Sequence, residues 1–146
     1  MTFSNTIREN MYTLANLASS ELNGYNAQAA HNKEQYLKMG RSVLRAIAKH
    51  LNLTEYKVNV NKAGIAVSGD ITLIGLSENG KGIYISMSSP MLFGRPPHFY
   101  YRLVTHMKDY SGSGPNRNMT YQDLASDPEH ACEIFEREYN PRRMMI

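Results

Sequence analysis

At 146 residues, with 42% hydrophobic and 20% charged residues, the chain has the composition of one ordinary globular domain spanning 1–146. That content excludes wholesale disorder, and the lack of any apolar run near ~18 residues argues against a membrane span. A formal net charge of +3 is mildly basic: it permits contact with nucleic acid or an acidic protein and requires neither.

The start, MTFSNTIREN, is polar and has no charged-then-apolar signal segment, so the expected location is cytoplasmic. Cys132 is the single cysteine. One thiol makes no internal disulfide and no zinc site with other cysteines, which fits a reducing compartment.

Residues 4–22 are predicted helical, because Ile7, Met11, Leu14, Ala18 and Leu22 recur at spacings of three and four. Asn23-Gly24 ends that helix. A second helix is predicted from Ala27 to His50 or Leu51, with Tyr36, Val43, Leu44, Ile47 and Leu51 on its apolar face. The opposite face carries Lys38, Arg41, Arg45 and Lys49 within an arc of about 80° and a rise of about 16 Å. Glu34 lies near that line and can pair with Lys38 at i,i+4. The short connection makes the two helices an antiparallel hairpin.

The period then changes to two. Tyr56, Val58 and Val60 alternate with Lys57, Asn59 and Asn61 in a half-buried strand, and Lys62-Ala63-Gly64 is a turn. Ile65, Val67, Gly69, Ile71, Leu73 and Gly75 continue the alternation as one long strand, or as two broken near Gly69-Asp70. Glu78-Asn79-Gly80 is expected to be a type I′ hairpin turn leading to Ile83, Ile85 and Met87. Pro90 to Pro97 is a loop. The next strand is predicted over 98–107, with Phe99, Tyr101, Leu103 and Met107 on one face and His98, Tyr100, Arg102, Val104 and His106 on the other. A loop over 108–118 follows. Thr120 and Asp123 start a short helix, and Asp127-Pro128-Glu129 starts a firmer one that Asn140-Pro141 stops.

This order predicts an α+β fold: an N-terminal helical hairpin, an antiparallel sheet of about four strands, and one or two C-terminal helices. With the helices on one face, the polar even face of the sheet would be open to solvent or to a partner.

Two contact surfaces follow. One is the Lys38/Arg41/Arg45/Lys49 stripe, long enough to track several phosphates or an acidic groove; the plain alternative is a solvated helix face. The other is the even sheet face, where Tyr84, Ser86, Tyr100, Arg102 and His106 would form an aromatic and basic platform of the kind that stacks single-stranded nucleic acid. Lys108 and Arg117 flank the 108–118 loop, a possible anion contact that Asp109 would partly neutralise.

No catalytic set emerges. His98 and His106 would lie about 26 Å apart on an extended strand, too far for one small site. Zinc, P-loop, dinucleotide and nucleophile-elbow motifs are missing, so no metal and no cofactor is expected. Cys132 near a helix start has no suitably placed base, since His130 at i−2 points to a different helix face.

The run from Tyr101-Arg102 through Asp109-Tyr110-Ser111-Gly112, Pro115-Asn116-Arg117 and Leu124-Ala125-Ser126-Asp127-Pro128 resembles small phage- and plasmid-borne accessory proteins, over the last third of the chain. The resemblance implies an accessory or host-interaction role, such as blocking a defence system, and assigns no catalytic residues. The expected function is therefore that of a non-catalytic interaction protein, inhibiting a host protein or nucleoprotein complex by stoichiometric binding. The alternatives are a DNA- or RNA-binding module, and a small nucleotide- or anion-binding protein or enzyme using the 102–117 segment. A Met-rich tail and an exposed sheet edge permit a monomer or a homodimer; no membrane partner is expected.

Overall fold

Strong caps set the helix starts. The side-chain oxygens of Ser4, Asn26, Thr120 and Asp127 each accept a hydrogen bond from the backbone N–H three residues on, at 2.8–3.2 Å. Each such cap contributes about 0.5–2 kcal/mol. In this computed structural model, which describes residues 2–20, 22, 26–61, 71–88, 96–109 and 114–141, they open α1 (Asn5–Ala18), α2 (Ala27–His50), α3 (Tyr121–Ser126) and α4 (Pro128–Tyr139). α1 ends four residues before the predicted Leu22, its last carbonyls taken by the N–H groups of Ser19 and Ser20. At the end of α2, Asn52 adopts the left-handed φ of 55°, while its N–H and that of Leu53 return to the carbonyls of Lys49 and Ala48. That paired closure stops the helix sharply and aims the chain into the sheet.

The strands are β1 (Glu55–Val60), β2 (Ile71–Leu76), β3 (Gly82–Met87), β4 (His98–Val104) and β5 (Arg117–Thr120), in spatial order β1-β2-β3-β4-β5 and antiparallel throughout. The α+β class therefore stands, with five strands where about four were expected. β5 falls inside the predicted 108–118 loop and runs on to Thr120. Arg117-Asn118-Met119-Thr120 lacks an alternating apolar pattern, and the free edge of β4 recruits it. β4 itself stops at Val104, so His106 lies in a turn closed by the Asp109 N–H to the His106 carbonyl. The expected turn at Lys62-Ala63-Gly64, the strand positions before Ile71 and most of the Pro90–Pro97 loop lie outside the described residues.

The β2–β3 hairpin forms where Glu78-Asn79-Gly80 predicted, with a different turn. Only Gly80 takes a positive φ, of 82°; Asn79 does not, so the turn is not type I′. The Gly80 N–H reaches the Ser77 carbonyl, and Ser77 N–H reaches Lys81. This is the three-residue loop with glycine at the left-handed position. Asn79 is held there by its side chain, which accepts from Ser77 Oγ and the Lys81 N–H and donates to the Tyr139 carbonyl at the end of α4.

All helices that touch the sheet pack on one face. α2 covers β1 and β2, α4 covers β3 and β4, and α1 bridges α2 and α3. The core between them holds Ile71, Leu73, Ile83, Ile85, Met87, Phe99 and Tyr101 from the sheet, against Tyr36, Val43, Leu44, Ile47, Tyr121 and Phe135. Phe135 meets Phe99 and Tyr101 edge-on, with centroids 6.2 and 5.1 Å apart. The Tyr36 and Tyr121 hydroxyls satisfy each other at 2.6 Å, and Tyr36 also donates to the Ser88 carbonyl. Among the described residues no helix is long and apolar enough to cross a membrane.

Candidate functional site

The periodicity that buries Tyr36, Gly40, Val43, Leu44, Ile47 and Ala48 of α2 turns Lys38, Arg41, Arg45 and Lys49 outward, and all four are exposed. None makes an ion pair with a described residue, and Glu34 and Lys38 do not pair. The ion pairs that do form join other elements, such as Arg8 with Glu129 and Arg117 with Glu138.

A groove runs along each side of this ridge. One, of about 500 Å³, lies between α1 and α2 and is lined by Ile7, Ser42, Ala46 and all four cations of the stripe. The other, also about 500 Å³, lies between α2 and the end of β1; Leu37 and Val60 line it together with Lys33, Lys38 and Arg41. Five cations and one acid, Glu34, thus border the two grooves. Side-chain ammonium and guanidinium groups about 6 Å apart along the axis, above partly apolar floors, make an electropositive track.

The predicted sheet platform does not hold together. Arg102 is buried at 4% exposure: its Nη2 donates to the Asp109 carbonyl at 2.7 Å, and Nη1 stands 3.7 Å from the Asp109 carboxylate. Its guanidinium also lies 4.6 Å from the centroid of the half-buried Tyr84 ring. Ile74, Val104 and His98 on that same face are buried as well, so the even face is not open along its length. The closing of residues 105–109 back onto β4 accounts for the Arg102 end of it. Tyr100 is exposed, its ring edge-on to His98, while His106 and Lys108 are exposed in the turn.

Arg117 sits on the other face. It registers with Tyr101, a helix-side residue, and its Nε donates to Glu138 of α4 at 2.7 Å. Arg102 and Arg117 are therefore on opposite sides of the sheet and each is engaged within the chain. The anion site expected from Arg102, His106, Lys108 and Arg117 is not assembled by them. Asp109 as the buried partner of Arg102 carried no signal in the sequence, because six residues of turn and strand lie between them.

Cys132 is buried in α4. Burial pushes its thiol far above the ordinary value of 9.0, and the Glu129 and Glu136 carboxylates push it further. A thiol held neutral is a poor nucleophile. Because the folded pKa is raised, the stabilisation is complete below the unfolded thiol's pKa, about 8.5, and is lost as pH rises beyond it. We expect Cys132→Ala to flatten the fall in unfolding free energy between pH 8.5 and 10, and native Cys132 to react with a disulfide reagent only at the rate of unfolding. Burial likewise raises the Tyr101 phenol, with Glu138 adding to the effect and Arg117 opposing it. Among the described residues no group of three or more His, Cys, Asp or Glu is placed to hold a metal ion.

Fold and surface together define an α+β protein with a basic α2 ridge between two grooves. Comparison with known protein families, characterised proteins and solved structures gives no significant match.

Proposed function

We propose that this protein is a non-catalytic binding protein that acts stoichiometrically on a nucleoprotein complex, with the basic face of α2 seated on the phosphate backbone. The carrying observation is the run of four exposed cations, unpaired among the described residues, spaced along one helix between two grooves. Arg8 and Arg117, by contrast, are spent on ion pairs that tie elements of the fold together. The resemblance of the last third to phage- and plasmid-borne accessory proteins supports a host complex, such as a defence assembly, as the target.

Titration of duplex DNA and single-stranded RNA at increasing salt tests this. Four phosphates neutralised give a slope of log K against log salt of about −3.6 on duplex and about −2.8 on single strands. Arg41→Glu with Arg45→Glu removes two charge-assisted contacts at ~1.5 kcal/mol each, so affinity falls by at least roughly 100-fold and the slope flattens. Both side chains are exposed, so the melting temperature should stay close to that of the unaltered protein. Lack of binding to either nucleic acid at low salt, or binding indifferent to these substitutions, defeats the proposal. Competition by polyglutamate alone would redirect it to an acidic protein.

A further inference from the structure

We infer that β1 is a self-association edge: two copies pair β1 with β1, antiparallel, about a two-fold axis through Tyr56. The pairing joins the two sheets into one and sets both α2 helices on the same face. It deepens the phosphate-binding reading and rests on it only for the ligand; the contact itself is argued from the strand.

Among the described residues β1 pairs on one side, with β2, in an unbroken register from Glu55↔Leu76 to Val60↔Ile71. An edge strand of this kind offers main-chain N–H and C=O groups to any strand that can lie beside it. Edges are usually blunted by proline, bulges or charged side chains; the strand EYKVNV has no proline, and its charges, Glu55 and Lys57, are of opposite sign. Exposure is concentrated at Glu55, Tyr56 and Lys57, whereas Val58, Asn59 and Val60 are half-buried. Tyr56 is one of three large exposed apolar side chains described, at 37%.

The charges select the register. Centred on Tyr56, the pairing is a three-residue ladder: Glu55 lies opposite the partner's Lys57, Lys57 opposite the partner's Glu55, and Tyr56 meets the partner's Tyr56 on the helix side; beyond it Val58 faces the partner's Thr54, before the start of β1. Opposite charges and aromatic pairs directly across an antiparallel ladder are favourable, with Cβ atoms about 5 Å apart. Centring on Glu55 or on Lys57 sets like charges against each other, and centring on Val58 leaves Lys57 opposite an asparagine. Only the Tyr56 centring pairs both charges.

The axis stands perpendicular to the sheet, so the helical layers stay together. The groove bounded by Val60 of β1 and by Lys38 and Arg41 of α2 lies on the β1 side, and its counterpart comes from the second copy. Val60 lies four residues from the axis, so the two grooves stand about 26 Å apart along the seam, on the same helical face, where one polyanion can bridge them. The net charge of +3 on each copy opposes pairing at low salt, and either screening or a polyanion bridging the two grooves relieves it. Polyanion binding and dimerisation then promote each other by linkage.

Sedimentation equilibrium of the full chain without nucleic acid tests the contact. At about 0.5 M salt, where the screening length is about 4 Å, a concentration-dependent dimer is expected. Glu55→Lys alone and Lys57→Glu alone should each weaken it about threefold at this salt, and the double swap should restore it. At low salt the unaltered protein should be monomeric and should dimerise when a duplex oligonucleotide is added. A monomer at every protein concentration in high salt overturns the inference; so does a dimer indifferent to both single swaps, which would place the contact elsewhere. Salt-dependent nucleic-acid binding by a strictly monomeric protein would refute only the pairing. A charge-swappable dimer without affinity for nucleic acid would refute only the phosphate-binding reading.

Discussion

Arg102→Met is expected to lower the free energy of unfolding by about 3–5 kcal/mol, the largest single-residue effect foreseen outside the aromatic core. The side chains of Arg102 and Asp109 are 4% and 5% exposed. The guanidinium is held by the Asp109 carbonyl, the Asp109 carboxylate and the Tyr84 ring. The carboxylate also accepts from the Thr105 N–H at 3.2 Å, which ties the turn after β4 to its strand. Removing the arginine alone takes from a buried carboxylate the counter-charge that Arg102 supplies, and that penalty exceeds the net worth of the pair. Arg102→Met combined with Asp109→Asn should therefore be markedly less destabilised than the sum of the two single changes. Denaturant unfolding of the four proteins measures the coupling. A loss below about 1 kcal/mol for Arg102→Met would show that the pair is not a closed, buried unit.

Gly82→Ala should cost at least about 3 kcal/mol, at or beyond the upper end of ordinary overpacking. A Cβ on Gly82 would overlap the Gly75 carbonyl oxygen and stand 2.7 Å from the Leu76 Cα. Both are backbone atoms of the neighbouring strand, so no rotamer change makes room. β3 is the centre of the sheet, flanked by β2 and β4, so a displacement at Gly82 disturbs ladders on both sides. Thermal unfolding reads the loss directly; a shift in melting temperature of only a few degrees would mean that the strands separate there at small cost.

These two positions also show where sequence reading reaches its limit. The alternation Ile83, Ile85, Met87 identified the core face of β3, and the pattern from Phe99 to Leu103 identified that of β4 to within its last residue. The caps at Thr120 and Asp127 were legible because a cap is a contact between residues three apart. The α2 stripe was legible for the same reason: helical geometry alone sends Lys38, Arg41, Arg45 and Lys49 to one side. Arg102 was misread as part of an open platform because its environment is built by Asp109 and Tyr84, on different segments. Arg117 was misread because the face it occupies is decided by its pairing with Tyr101 in β4.

The sequence by itself determined the local elements and their apolar faces, and from these the α+β class and the basic surface of α2. Each depends on periodicity and on short-range hydrogen bonds, which are written along the chain. Only the tertiary structure decided which cations remain available. A charge becomes a contact or a structural strut according to what lies across from it, and long-range pairing sets that. It buried Arg102 against Asp109, turned Arg117 to Glu138, recruited β5 to the edge of β4, and left α2 as the assembled basic surface beside the β1 edge.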